Sequence, residues 1–109
     1  MKKIDKNGNI RYYNKHGELH REDGPAIEWT NGTKHWLIND KLHREDGPAY
    51  EDVYGNKEWW INEKLHREDG PAIERADGRK YWYINGEELS ETEFRIRTNI
   101  ACKCPDYLK

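Results

Sequence analysis

The sequence predicts a mainly β fold: an elongated, twisted antiparallel sheet of tandem β-hairpins with a period of 23 residues, closed by a short C-terminal helix. Three observations predict it. The octapeptide Leu19-His20-Arg21-Glu22-Asp23-Gly24-Pro25-Ala26 recurs letter for letter at Leu42 to Ala49 and at Leu65 to Ala72. The same spacing relates Gly32, Gly55 and Gly78, then Trp36, Trp59 and Trp82, with the turn dipeptides Asn31-Gly32 and Asp77-Gly78 between apolar runs. Ser90, followed three residues later by Glu93, marks a helix start after the last copy.

The 109 residues form one domain in three parts: a degenerate N-terminal half repeat over 1–18, three hairpin repeats over 19–89, and a helix and tail over 90–109. In the half repeat, Tyr12 or Tyr13 stands where Trp belongs, with one extra residue before Leu19. Within each unit a two-residue loop at Asn31-Gly32, Tyr54-Gly55 and Asp77-Gly78 sets strands at about 25–30 with 33–39, 48–53 with 56–62, and 71–76 with 79–85. That register puts Ile27 opposite Trp36, Tyr50 opposite Trp59 and Ile73 opposite Trp82, on one inward stripe with Ile38, Ile61 and Ile84. The other stripe varies between units, as a partner surface can; its candidate contact residues are His35, Leu37, Glu58, Trp60, Tyr81 and Tyr83. Beyond the array, Leu89 and Phe94 make a hydrophobic staple for a helix of about 91–101 that covers the last strand edge. Open edges elsewhere leave an edge-mediated dimer available.

Charged residues reach 37% and hydrophobic ones only 34%, a disordered balance were it not for five Trp and seven Tyr, whose large apolar areas build a core. The net charge of −2 gives no bulk field for nucleic acid or an anionic membrane. No apolar run of about 18 residues and no signal-type segment follows Met1, which predicts a cytoplasmic protein with no membrane partner. Cys102 and Cys104 are too close for an ordinary disulfide and are expected as free thiols; Pro105, Tyr107 and Leu108 end an irregular tail.

The run Asp77-Gly78-Arg79-Lys80-Tyr81-Trp82-Tyr83-Ile84-Asn85-Gly86, leading into a loop with His and Gly, resembles MORN-type repeats. The likeness is closest to the divergent HREDGPA branch seen in proteins of phages and large DNA viruses, and spans about residues 7 to 89. His43 to Gly47 places four steps between His and Gly, one more than the common pattern, so the loop between hairpins departs from the family. The resemblance implies successive hairpins used for protein contact, scaffolding or lipid association, without a cofactor. On the viral side it implies an accessory protein that binds and inhibits a host factor such as a defence (CRISPR-type) nuclease, in the host cytoplasm.

An imidazole beside two carboxylates could run acid-base chemistry, so the His-Arg-Glu-Asp block admits a hydrolase reading. Threefold repetition argues against it, because an active site needs one preorganised constellation; Asp23, Asp46 and Asp69 serve instead as turn residues and Arg21, Arg44 and Arg67 as their partners. The thiols lack the second pair that a zinc site needs, so no metal is expected. Aromatics interleaved with Lys34, Lys57, Arg79 and Lys80 support an alternative, nucleic-acid or nucleotide binding, which neighbouring carboxylates dilute. The reading favoured by the sequence is a non-catalytic module that binds a protein partner.

Overall fold

The computed structural model describes residues 1–98 and is mainly β, with one short helix. The expectations for the far end of the helix, for Cys102 and Cys104 and for the tail lie outside the described residues. The strands are β1 Lys2–Ile4, β2 Ile10–Tyr12, β3 Ile27–Glu28, β4 Lys34–His35, β5 Leu37–Ile38, β6 Lys41–Leu42 and β7 Tyr50–Glu51. They continue as β8 Lys57–Glu58, β9 Trp60–Ile61, β10 Lys64–Leu65, β11 Ile73–Glu74, β12 Lys80–Ile84 and β13 Glu87–Leu89, and the helix α1 is Glu91–Thr98. Nine of them form one antiparallel sheet in the order β1-β2-β3-β4-β7-β8-β11-β12-β13, while β5–β6 and β9–β10 are side hairpins. The molecule measures 59 × 30 × 20 Å.

The register differs from the expected one by a single residue. Ile27 lies opposite His35, Tyr50 opposite Glu58 and Ile73 opposite Tyr81, instead of Trp36, Trp59 and Trp82. The cause is the turn. Trp29 donates its N–H to the Thr33 carbonyl at 2.9 Å, Gly32 donates to the Trp29 carbonyl at 2.9 Å, and Gly32 has φ +99°. This is a three-residue loop closed by a left-handed glycine, and Asn31 is engaged otherwise, its Oδ1 accepting the Thr33 N–H at 2.9 Å. The turns with positive φ at both central residues come later, at Asn39-Asp40, Asn62-Glu63 and Asn85-Gly86, between β5 and β6, β9 and β10, and β12 and β13.

Because side chains alternate along a strand, the slip reassigns the faces. Ile27 and Ile73 share a face with His35 and Tyr81, so the expected single stripe of Ile, Trp and Ile does not form. Glu28, Glu51 and Glu74 move to the opposite face, across from Lys34, Lys57 and Lys80. Burial follows this arrangement: Ala26, Ile27 and Leu37 are core, with Leu19, Trp29 and Leu42 packed against them. Ala49, Ala72 and Ile73 are buried further along, the isoleucine contributing about 2 kcal/mol.

The helix begins as its capping signature requires. Ser90 N–H donates to Glu93 Oε1 at 3.0 Å, and Glu93 N–H donates to Ser90 Oγ at 3.1 Å. Leu89 before the cap and Phe94 after it are both buried, Phe94 at 2% exposure. None of the described helices is long and apolar enough to cross a membrane.

Candidate functional site

The repeated loops are built identically. Arg21, Arg44 and Arg67 donate from Nε to Asp23, Asp46 and Asp69 at 2.9, 2.9 and 2.8 Å. From NH1 each reaches a proline carbonyl (Pro25, Pro48, Pro71) and the strand carboxylate of Glu28, Glu51 or Glu74, the latter at 2.9, 3.3 and 2.9 Å. The guanidinium planes lie 4.0, 3.9 and 3.8 Å from the ring centres of Tyr12, Trp36 and Trp59. Tyr12, rather than Tyr13, therefore stands at the Trp place of the half unit. Glycine in the loop makes room for this: a Cβ at Gly24, Gly47 or Gly70 would come within 2.8 Å of the arginine Cζ. The Arg44 guanidinium holds the Asp46 carboxyl below the ordinary carboxylate range.

The histidines of the loops are equally committed. Nδ1 of His20, His43 and His66 accepts the backbone N–H of Asn39, Asn62 and Asn85 at 3.1, 3.0 and 2.9 Å. Nε2 sits 3.1, 3.3 and 3.0 Å from Glu22, Glu45 and Glu68. A ring whose Nδ1 accepts carries its proton on Nε2 when neutral, so the lone pair that a general base needs is already in use. Backbone bonds complete each loop: Arg44 N–H donates to the Trp60 carbonyl at 3.0 Å and Glu63 N–H to the Leu42 carbonyl at 2.9 Å, with counterparts at Arg21 and Leu37 and at Arg67 and Tyr83. Grooves of about 670 and 810 Å³ separate neighbouring loops, floored by Trp59 and Ile61 in one and Trp36 and Ile38 in the other.

Directly opposed residues of an antiparallel pair point to one face, so the register defines two rows that cross the sheet. On the face of the loops the row reads Ile10, Glu28, Lys34, Glu51, Lys57, Glu74, Lys80, a regular alternation of charge. On the other face it reads Lys3, Arg11, Ile27, His35, Tyr50, Glu58, Ile73, Tyr81, with no repeated pattern.

The six expected contact residues fall on this second face, with one correction. Leu37 is 9% exposed and belongs to the core, because it packs with Ala26 and Ile27; it offers no contact surface. The other five are half-buried. His35 lies between Trp29 (ring centres 6.0 Å apart, edge-on) and Tyr50 (5.1 Å), and burial pushes its imidazole below the ordinary histidine range against the pull of Glu58. Glu58 pairs with Arg75 at 3.2 Å and accepts the Trp60 indole N–H at 2.9 Å. Tyr81 and Tyr83 line a shallow pocket of about 360 Å³ with Ile73, Arg75, Arg79 and Glu88, and burial pushes the Tyr83 phenol up.

Four residues join this surface that the sequence reasoning did not include: Arg11, whose guanidinium lies 5.1 Å from the Trp29 ring centre, Trp29 itself, Tyr50 and Arg75. Tyr50 had been placed inward by the two-residue turn. The Asn-Gly dipeptide at Asn85-Gly86 was the available signal, since it marks the true two-residue turn one element further on. Among the described residues no three His, Cys, Asp or Glu side chains converge as metal ligands would. No protein family, no curated protein and no solved structure matches this chain.

Proposed function

We propose that the chain is a non-catalytic protein-binding module, a tandem array of 23-residue MORN-like hairpin units whose irregular face carries recognition. The contrast between the two cross-sheet rows supports this reading. One row and its loops repeat the same bonds three times, as a scaffold does; the other presents Trp29, His35, Tyr50, Glu58, Trp60, Tyr81 and Tyr83 in an order that no unit shares. Half-exposed aromatic and ionisable side chains on a rigid sheet lose little entropy on contact, and are the side chains that dominate protein interfaces. The commitment of every loop histidine and arginine to structural bonds weighs against the hydrolase reading. The resemblance to viral repeat proteins directs the search for a partner toward host proteins, defence nucleases among them.

The test is a pair of double variants. Trp60→Ser with Tyr83→Ser should keep the native circular dichroism and lose the protein captured by the wild type, while Lys34→Ser with Lys57→Ser on the other face should keep it. Capture that survives the first and fails with the second would assign recognition to the wrong face. A salt-sensitive affinity for a generic single strand, in place of protein capture, would favour the nucleic-acid reading.

A further inference from the structure

The first strand ends the sheet, and no described strand lies on its outer side. Its bonding parity is fixed at both ends. Tyr13 N–H donates to the Met1 carbonyl at 2.8 Å and the Met1 ammonium to the Tyr13 carbonyl at 2.6 Å; four residues on, Asp5 N–H donates to the Asn9 carbonyl at 3.0 Å. Bonded and non-bonded pairs alternate in an antiparallel ladder, so Lys3 and Arg11 exchange bonds between those two points. Lys2 and Ile4 therefore turn both N–H and C=O outward.

Lysine at a sheet edge ordinarily blocks further pairing. Here Lys2 Nζ lies 5.9 Å from the Tyr12 ring centre and Lys3 Nζ 5.4 Å from that of Tyr13, both turned back over the protein's own sheet. Apolar surface accompanies them: Met1 is 75% and Ile4 62% exposed. Charge is also concentrated at this end. Residues 1–16 hold Lys2, Lys3, Lys6, Arg11 and Lys15 against the single carboxylate of Asp5, a net +4 in a chain of net −2, and Asp5 is engaged by Arg11 at 3.0 Å.

We propose that the outer edge of β1 is a docking site for an extended acidic peptide, which adds to the sheet as a tenth strand. Two outward C=O groups call for N–H donors, which a peptide backbone supplies and a phosphate backbone lacks. A second copy pairing antiparallel with β1 would set Lys3 against Lys3 when centred there, or Lys2 against Lys2 in the neighbouring register, and like charges directly opposed are destabilising. The fitting strand carries Glu or Asp beside Lys3 on one face and an apolar side chain beside Ile4 on the other. The site shares Lys3 with the end of the second row but needs neither Trp60 nor Tyr83 of the recognition face proposed above.

The probe is a fluorescent octapeptide of alternating Glu and Val, titrated by anisotropy against the full chain. It should bind, should weaken about tenfold with Lys2→Glu and Lys3→Glu together, and should be replaced poorly by the Lys and Val counterpart. N-methylation of alternate residues should abolish binding in one frame and spare it in the other, because only one frame faces the edge. The Trp60→Ser, Tyr83→Ser variant should bind the peptide as the wild type does, which separates this site from the other face. Indifference to N-methylation in both frames, equal competition by oligothymidylate, or a dimer that buries β1 in sedimentation would each overturn the proposal.

Discussion

The backbone N–H of Asn39 donates to Nδ1 of His20, a residue nineteen positions earlier, across 3.1 Å. That bond ties the loop of one unit to the turn of the same hairpin's far end, and His43 with Asn62 and His66 with Asn85 repeat it. An imidazole is used here as a neutral acceptor for a turn amide with a left-handed φ.

Removing one such acceptor has a modest and equal cost. His43→Ala should lower the unfolding free energy by about 1 kcal/mol, the usual worth of a neutral hydrogen bond. His20→Ala and His66→Ala should match it closely in urea titrations. A large excess at one position would mean that one loop does something the other two do not.

Arg44 is a stricter case, because its planar fork binds Asp46, the Pro48 carbonyl and Glu51 while its flat face covers Trp36. Lysine keeps the charge and loses the geometry. Arg44→Lys should cost about 2 kcal/mol and shift the Trp emission to longer wavelength as Trp36 becomes wetter.

Glu63 holds φ +69° without the glycine that Gly86 supplies at the corresponding turn. A left-handed residue with a Cβ is strained by about 1 kcal/mol. Glu63→Gly should therefore raise the melting temperature, by an amount reduced by the extra freedom of glycine in the unfolded chain. The same change at Asp40 should fail to stabilise, because Asp40 Oδ1 also accepts the Leu19 N–H at 2.6 Å.

Acid should weaken the sheet through His35. Burial holds its folded pKa below the unfolded value of 6.5, so the unfolded chain takes up the proton first. The contribution is complete above about pH 6.5 and is lost as pH falls through the folded value. His35→Tyr, the side chain found at Tyr81, should flatten the decline in urea midpoint between pH 7.5 and 5.5; an unchanged slope would assign the decline elsewhere.

Much of this was legible in the sequence and some was hidden. Strands, antiparallel order and the Ser90–Glu93 cap follow from alternation, turn dipeptides and a capping pattern, all of which act locally. The faces were not legible from the turn dipeptide alone, because Asn31-Gly32 fits both a two-residue and a three-residue loop and the difference of one residue inverts every side chain. Leu37 shows the cost: its neighbour His35 varies between units as a surface position does, and so does Leu37, yet Leu37 is buried under Leu19 and Leu42. The reason for Gly24, a guanidinium passing within reach of its missing Cβ, lies in a contact that no local pattern encodes.

The Leu-His-Arg segments have a mechanical consequence. Leu42 to Arg44 is bonded on one side to Trp36 and Leu37 and on the other to Trp60 and Glu63, so it cannot lift without loosening both neighbours. Opening is cheapest where one neighbour is missing, and the molecule should fray inward from its two ends like a zip. Amide exchange would then rank residues by their distance from the nearer end more than by depth beneath the surface.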